Sequence, residues 1–176
     1  LTALLSPVAL AVVMFYSYCK RFTSLAHIVL GLSLGIAPSA AYIATTGTLT
    51  LAPCLLSILV LTWCGGFDII YALQDLDFDR QRGLHSIPVR FGVRGALYIS
   101  IALHVVSILA LILFALHCPQ GWLLWIGEAL FCGCIVLEHM LVTPTKQRSI
   151  GIAFGTLNGI ASLTLATFTI LQLVVG

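Results

Sequence analysis

The sequence predicts an all-α, multi-pass transmembrane helical bundle, and three observations carry that expectation. Hydrophobic residues make up 60% of the chain, charged residues only 8%, and the mean hydropathy is +1.12, so lipid rather than water must solvate most of the surface. Apolar runs of membrane-crossing length recur from one end to the other. They lack the two-residue alternation of barrel strands, and backbone amides in lipid must be paired within their own segment, which favours helices.

The runs lie at about 1–19, 25–44, 49–71, 95–116, 121–143 and 149–175. Each is close to the ~20 residues that a helix rising ~1.5 Å per residue needs to cross the hydrocarbon. Six spanning helices are therefore expected. The first run ends where Lys20 and Arg21 appear. The second carries Gly31 and Gly35 in a GxxxG spacing, which lets two helix backbones approach closely. The third opens after TTGTLT and runs to Tyr71, where charge begins. The fourth follows Arg94, the fifth follows HCPQG, and the sixth carries Gly151, Gly155 and Gly159 in a double GxxxG that also predicts close packing. The whole of 1–176 reads as a single bundle domain, without a long linker, a low-complexity tract or a soluble domain.

Charge orients this bundle. The connections at 20–24, 72–94 and 144–148 hold all eight Lys and Arg residues, whereas 45–50 and 117–121 hold none. Successive loops alternate sides, so the basic side is expected to be cytoplasmic, and a bacterial inner membrane is the expected location. The net charge of +2 is an orientation signal, and no nucleic-acid motif accompanies it. Leu1 then falls on the outer face. With no initiator Met and no basic n-region, an N-terminally truncated protein is expected, lacking an odd number of helices if the intact chain starts in the cytoplasm. The six cysteines lack metal-site spacing and read as inert thiols.

Eight of the fourteen Asp, Glu, Lys and Arg residues fall between 68 and 94. If the third helix continues past Tyr71, Asp75 and Asp79 share a face one turn apart, with Tyr71 a turn below, Asp68 on roughly the same side and Asp77 pointing elsewhere. Adjacent carboxylates repel unless a cation or proton relieves them, and hard oxygen ligands suit magnesium, which bridges to phosphate oxygens. DxxxD is thus one half of a magnesium-diphosphate site, or else a solvated loop paired with nearby arginines. Lys20 and Arg21 lie on the same membrane side, either as anchors or as a grip on an anionic head group, with Tyr16 one turn before Lys20. Among the other polar residues, Glu138 and His139 sit near the same end and are candidates for the site or for pairing with loop arginines. His104 and Glu128 read as packing contacts, and Asn158 as an interhelical hydrogen-bonding group. A cation-transporting segment is a rival reading, but it calls for ionisable groups at several depths, and here the carboxylates gather at one edge. A scaffold role would rest on the glycine ladders alone.

YSYCKRFTSLAHIVLGLSLGIAP (16–38) and FDIIYALQDLDFDRQRGLHSIPVRFG (67–92) resemble two signatures of the UbiA family of membrane prenyltransferases, YxxxKRxT and YxxxDxxxD. A weaker pattern continues at Ala153, Phe154, Asn158, Gly159 and Ser162. The SIPVRFG ending and the KRFT segment look most like the 4-hydroxybenzoate polyprenyltransferase branch. The resemblance implies a nine-helix fold of which these are the last six, and two aspartate motifs of which only the second is present. It also implies transfer of a polyprenyl group from polyprenyl diphosphate to an aromatic acceptor. That acceptor would be 4-hydroxybenzoate in ubiquinone biosynthesis, or a naphthoate in menaquinone biosynthesis. By the same resemblance Asp75 and Asp79 hold Mg2+ as the catalytic pair, and Lys20, Arg21, Tyr16 and Tyr71 bind the diphosphate and the departing allylic group. Without the first motif the polypeptide alone is expected to be inactive.

Overall fold

The computed structural model describes residues 2–118, 121–143 and 150–175, with the backbone alone for Thr2, Ile152 and Ala153. In order it contains α1 (Thr2–Cys19), α2 (Ala26–Thr46), α3 (Leu51–Tyr71), α4 (Leu76–Gln81), α5 (Ile87–His117), α6 (Trp122–Leu141), a π-helical turn (Ile152–Leu157) and α7 (Asn158–Val175). Each of the six apolar runs forms a helix. α2, α3, α5, α6 and Phe154–Val175 are long and apolar enough to cross a membrane, whereas the apolar stretch Ala3–Cys19 of α1 is shorter. The third basic connection, with Lys146 and Arg148, lies outside the described residues.

The helix ends follow local chemistry. Gly47 takes φ 71° as the left-handed cap of α2, and its N–H donates to Ile43 O. α3 ends at Tyr71, as the apolar run does, and the condition that it continue to Asp79 is not met. Leu73, Gln74 and Asp75 donate to the carbonyls of Ile70, Tyr71 and Ala72 at 3.2, 3.0 and 3.1 Å. Three successive bonds to the third residue back tighten the chain into a turn, and the separate short helix α4 starts after it. α5 begins earlier than expected: the Ser86 hydroxyl accepts from Val89 N–H, Pro88 occupies the first turn, and Gly92 (φ 70°, ψ 177°) then breaks the helix before its spanning part.

α3 is the middle of the bundle, with α2 on one side and α5 on the other, while α6 packs mainly against α7. The α2–α3 approach depends on the first glycine pair. A Cβ at Gly31 would overlap the Leu61 carbonyl oxygen, and one at Gly35 would lie 2.8 Å from Ser57 O. Only glycine allows the two backbones that close. The Ser39 and Ser57 hydroxyls, 2.7 Å apart, join the same helices.

Across the α3–α5 face, Ser100 Oγ donates to Gly66 O at 2.8 Å and Ser107 Oγ to Leu59 O at 3.3 Å. His104 Nε2 lies 3.3 Å from Trp63 O and its Nδ1 lies 2.8 Å from His139 Nε2. A carbonyl only accepts, so His104 carries its proton on Nε2, and His139 Nε2–H donates to Nδ1. His104 thus ties α3, α5 and α6 together, as a packing contact.

The second glycine run behaves differently from the expectation of close packing. Among the described residues, a Cβ at Gly151, Gly155 or Gly159 would meet nothing within 4 Å. Asn158, at the start of α7, faces the buried Glu138 carboxyl of α6 as its polar neighbour across the two helices. Apolar packing fills the rest in three clusters, centred on Ile69, Ile70 and Leu97 at the basic end, on Leu111 and Phe131 midway, and on Leu55 and Phe114 at the other end.

Candidate active site

Two loops are pinned to each other at the basic end. The turn after α1 folds back through bonds from Arg21 N–H to Tyr18 O and from Thr23 N–H to Cys19 O. His85 N–H then donates to Lys20 O at 2.7 Å, and Leu84 N–H donates to Asp79 O at 2.8 Å. Backbone bonds of this kind fix the relative position of Lys20 and α4, whatever their side chains do.

Within that frame the Lys20 ammonium lies 3.3 Å from Asp79 Oδ2 and 4.0 Å from Asp75 Oδ2. Asp75 and Asp79 remain one helical turn apart, the Asp79 amide donating to Asp75 O at 2.7 Å. The Asp79 side chain is only 2% exposed and that of Asp75 is 50% exposed, so the pair spans the boundary between interior and solvent. Both carboxylates point to one place, and a cation sits between them. Asp77 is exposed.

The arginines take no part in this cluster. Among the described residues no arginine forms an ion pair with a carboxylate. Arg21 lies over the Tyr18 ring and Arg82 over Phe78. Nor, among the described residues, do Glu138 and His139 pair with loop arginines: Glu138 is 1% exposed beside Asn158, and His139 faces His104.

Asp68 is held elsewhere, with its Oδ2 2.7 Å from Nδ1 of the fully buried His27. The imidazole donates and the carboxylate accepts, which clamps α2 to α3 one turn below Tyr71. The sequence signal was a histidine and an aspartate near the same ends of neighbouring helices, and spacing alone does not pair residues 41 positions apart. Tyr16 is half-buried, a turn below Lys20.

Tyr71 tops an aromatic ladder. Phe131 meets Trp63, Trp63 meets Phe67, Phe67 meets Phe154, and Phe154 stacks on Tyr71 with centroids 4.2 Å apart and planes tilted 31°. Phe154 projects from the π turn, whose wider coil breaks the regular helix just before α7. Sequence reasoning placed Phe154 in a pattern without giving it a neighbour.

A groove of about 530 Å³ opens between α1, α2 and α3, lined by residues such as Leu5, Ala9, Leu32, Ile36 and Leu61. By helical period, Leu5, Ala9 and Tyr16 fall along one face of α1, as do Leu61 and Asp68 on α3. The groove itself lies toward the end opposite the basic loops, lined by the first half of α1, the later part of α2 and the first half of α3.

As a cation site, Asp75 and Asp79 supply hard oxygens converging on a position that already attracts an ammonium. The described residues contain no group of three or more His, Cys, Asp or Glu able to enclose a metal ion. Two carboxylates suit magnesium, which keeps waters and takes further oxygens from substrate phosphates.

Comparison with known proteins gives one answer. A model of the UbiA prenyltransferase family matches residues 1–171. A 4-hydroxybenzoate octaprenyltransferase from Francisella tularensis subsp. mediasiatica (strain FSC147) is 32% identical over 140 residues, covering 80% of this chain and 49% of that protein. One from Salmonella paratyphi C (strain RKS4594) is 32% identical over 147 residues, 83% of this chain and 48% of that protein. The chain thus spans about half the length of the curated relatives it matches. The apo structure of a UbiA homolog from Aeropyrum pernix K1 superposes with a TM-score of 0.85 at 30% identity, covering 97% of this chain and 63% of that one. This chain belongs to the UbiA prenyltransferase family.

Proposed function

We propose that the protein transfers a polyprenyl group from polyprenyl diphosphate to an aromatic acceptor, 4-hydroxybenzoate, at the basic end of the bundle. The observation that carries this reading is the convergence of Asp75, Asp79 and Lys20 at the basic end of the bundle. A polyprenyl diphosphate is soluble in lipid at one end and needs water, cations and charge at the other. The charged cluster meets the second need at the solvent boundary, and the apolar groove, farther along α1 and α3 toward their other ends, is open to a long hydrocarbon tail. The names of the curated relatives support the acceptor.

Magnesium bound by Asp75 and Asp79, with oxygens from outside this pair, supplies charge neutralisation for the departing diphosphate. The chain's own residues do the rest. Lys20 exchanges its contact with Asp79 for the diphosphate oxygens, and its flexible stem lets it follow the leaving group. Arg21 and Tyr16 flank Lys20 as secondary diphosphate contacts. Tyr71, held face-on by Phe154, presents its ring to the allylic carbon as positive charge develops there, a contact worth up to ~2 kcal/mol when desolvated. The acceptor ring, made electron-rich by its hydroxyl, forms the new carbon–carbon bond and loses a proton. Asp68 and His27 stay paired and keep α2 and α3 in register below the site. A bacterial inner membrane with this end facing the cytoplasm completes the proposal, since the donor's diphosphate and magnesium are there.

The test is product analysis of membranes containing the full-length protein, given magnesium, a polyprenyl diphosphate and either 4-hydroxybenzoate or a dihydroxynaphthoate. Alkylated 4-hydroxybenzoate is expected. Exclusive alkylation of the naphthoate would reassign the acceptor, and alkylation of neither ring would reject aromatic prenyl transfer.

A further inference from the structure

A second polar cleft opens at the same end of the bundle, and no step of the proposed reaction uses it. It has a volume of about 330 Å³ and lies between the turn after α1 and the start of α5, lined by Phe22, Thr23, Ser24, His85, Ser86 and Arg90 among others. Its hydrogen-bonding chemistry is one-sided. Thr23 Oγ1 accepts from Leu25 N–H at 3.2 Å, Ser24 Oγ accepts from Arg90 Nη1 at 3.4 Å, and Ser86 Oγ accepts from Val89 N–H at 3.4 Å. Among the described residues none of the three hydroxyls donates a bond. Three O–H donors are left over.

Ser24 and Ser86 are 5% and 0% exposed, so their hydroxyls are fixed parts of the wall. Among the described residues Arg90 has no carboxylate partner, and no Asp or Glu lines the cleft. A guanidinium with five N–H donors, beside hydroxyls whose O–H donors are unused, favours an anion.

The rim narrows the choice of anion. Phe22, Leu25 and Phe91 are 55%, 55% and 50% exposed, and the Arg90 guanidinium lies 5.3 Å from the centroid of the Phe91 ring. A small soluble anion has no use for three exposed apolar side chains, whereas a lipid carries its phosphate and its hydrocarbon together. Aromatic side chains settle at the head-group level of a bilayer, and basic clusters there attract anionic lipids.

We propose that this cleft binds the phosphate of an anionic phospholipid, held by Arg90 and the Thr23, Ser24 and Ser86 hydroxyls, with Phe22 and Phe91 against the acyl chains. The site is separate from the Asp75–Asp79–Lys20 cluster and stands whether or not the prenyl-transfer reading holds.

Native mass spectrometry of the purified protein, equilibrated with equal amounts of phosphatidylglycerol and phosphatidylcholine, counts the lipids retained. The wild type should keep phosphatidylglycerol selectively, and Arg90→Gln should weaken that retention about tenfold, the loss expected for a charge-assisted contact. Ser24→Ala and Arg90→Lys change one contact each and should lower retention less, and they read the site if Arg90→Gln fails to fold. Inorganic phosphate is the second probe. If millimolar phosphate displaces the lipid, a free anion is the occupant and the lipid assignment is overturned. Equal retention of both lipids, or retention unchanged in the Arg90 and Ser24 variants, overturns the site itself.

Discussion

Lys20→Met should destabilise the protein by an amount set by what it leaves behind. Its ammonium is 3.3 Å from a carboxylate that is 2% exposed and 4.0 Å from a second one. At 3.3 Å and an effective dielectric constant near 20, Coulomb attraction is ~5 kcal/mol. Desolvation of both groups and solvent screening around Lys20, 29% exposed, offset much of that. Removing the lysine nevertheless strands a buried carboxylate beside a like charge, and the expected loss is about 3 kcal/mol. In an Asp79→Asn background the same substitution strands nothing buried and should cost about 1 kcal/mol, leaving a coupling of ~2 kcal/mol. Unfolding of the four proteins by sodium dodecyl sulfate in mixed micelles, followed by loss of helix signal, completes the cycle. A coupling below about 0.5 kcal/mol would show that the two side chains act independently, and the site's geometry would lose its energetic basis.

Three further outcomes follow from the packing. Gly31→Ala forces α2 away from the Leu61 carbonyl and should cost about 2 kcal/mol, whereas Gly159→Ala, with open space around it, should change stability by less than ~0.5 kcal/mol in the same titration. Asp68→Leu leaves the buried His27 donor without an acceptor and should cost about 2 kcal/mol, while Asp68→Asn keeps an acceptor oxygen and most of the stability. In full-length protein, Tyr71→Phe should retain most of the prenylated product per minute and Tyr71→Leu should lose tenfold or more, because the proposal uses the ring face and leaves the hydroxyl idle. Equal losses in the two Tyr71 variants would remove the cation–π contact.

The helices were legible because lipid imposes one rule on every crossing segment, and a run such as 49–71 has no other stable use. The meeting of Lys20 with Asp75 and Asp79 was legible for a related reason: charges are scarce in this chain, and their loops had to share one side. What stayed hidden depends on neighbours. The GxxxG of Gly31 and Gly35 and the run Gly151, Gly155 and Gly159 have the same spacing, yet only the first faces another backbone in the fold. Spacing reports a smooth helix face and is silent on what lies across from it. α3 ends at Tyr71, where the apolar run 49–71 ends; the turn that follows was not legible because Ala72, Leu73 and Gln74 carry no breaker, and α4 is held in place by the bond from His85 N–H to Lys20 O. The pairs His27–Asp68 and His104–His139 join residues 41 and 35 positions apart, which no local pattern encodes.

The central claim is that Asp75 and Asp79, with Lys20, position a divalent cation and the donor's diphosphate, and magnesium titration of prenyl transfer by the full-length protein tests it most directly. Asp77→Asn, an exposed neighbour of the same charge, should leave the magnesium dependence as in the wild type. Asp75→Asn should shift it to higher magnesium, and Asp79→Asn should abolish turnover at any concentration. Turnover with an unchanged magnesium midpoint in both Asp75→Asn and Asp79→Asn would contradict the account.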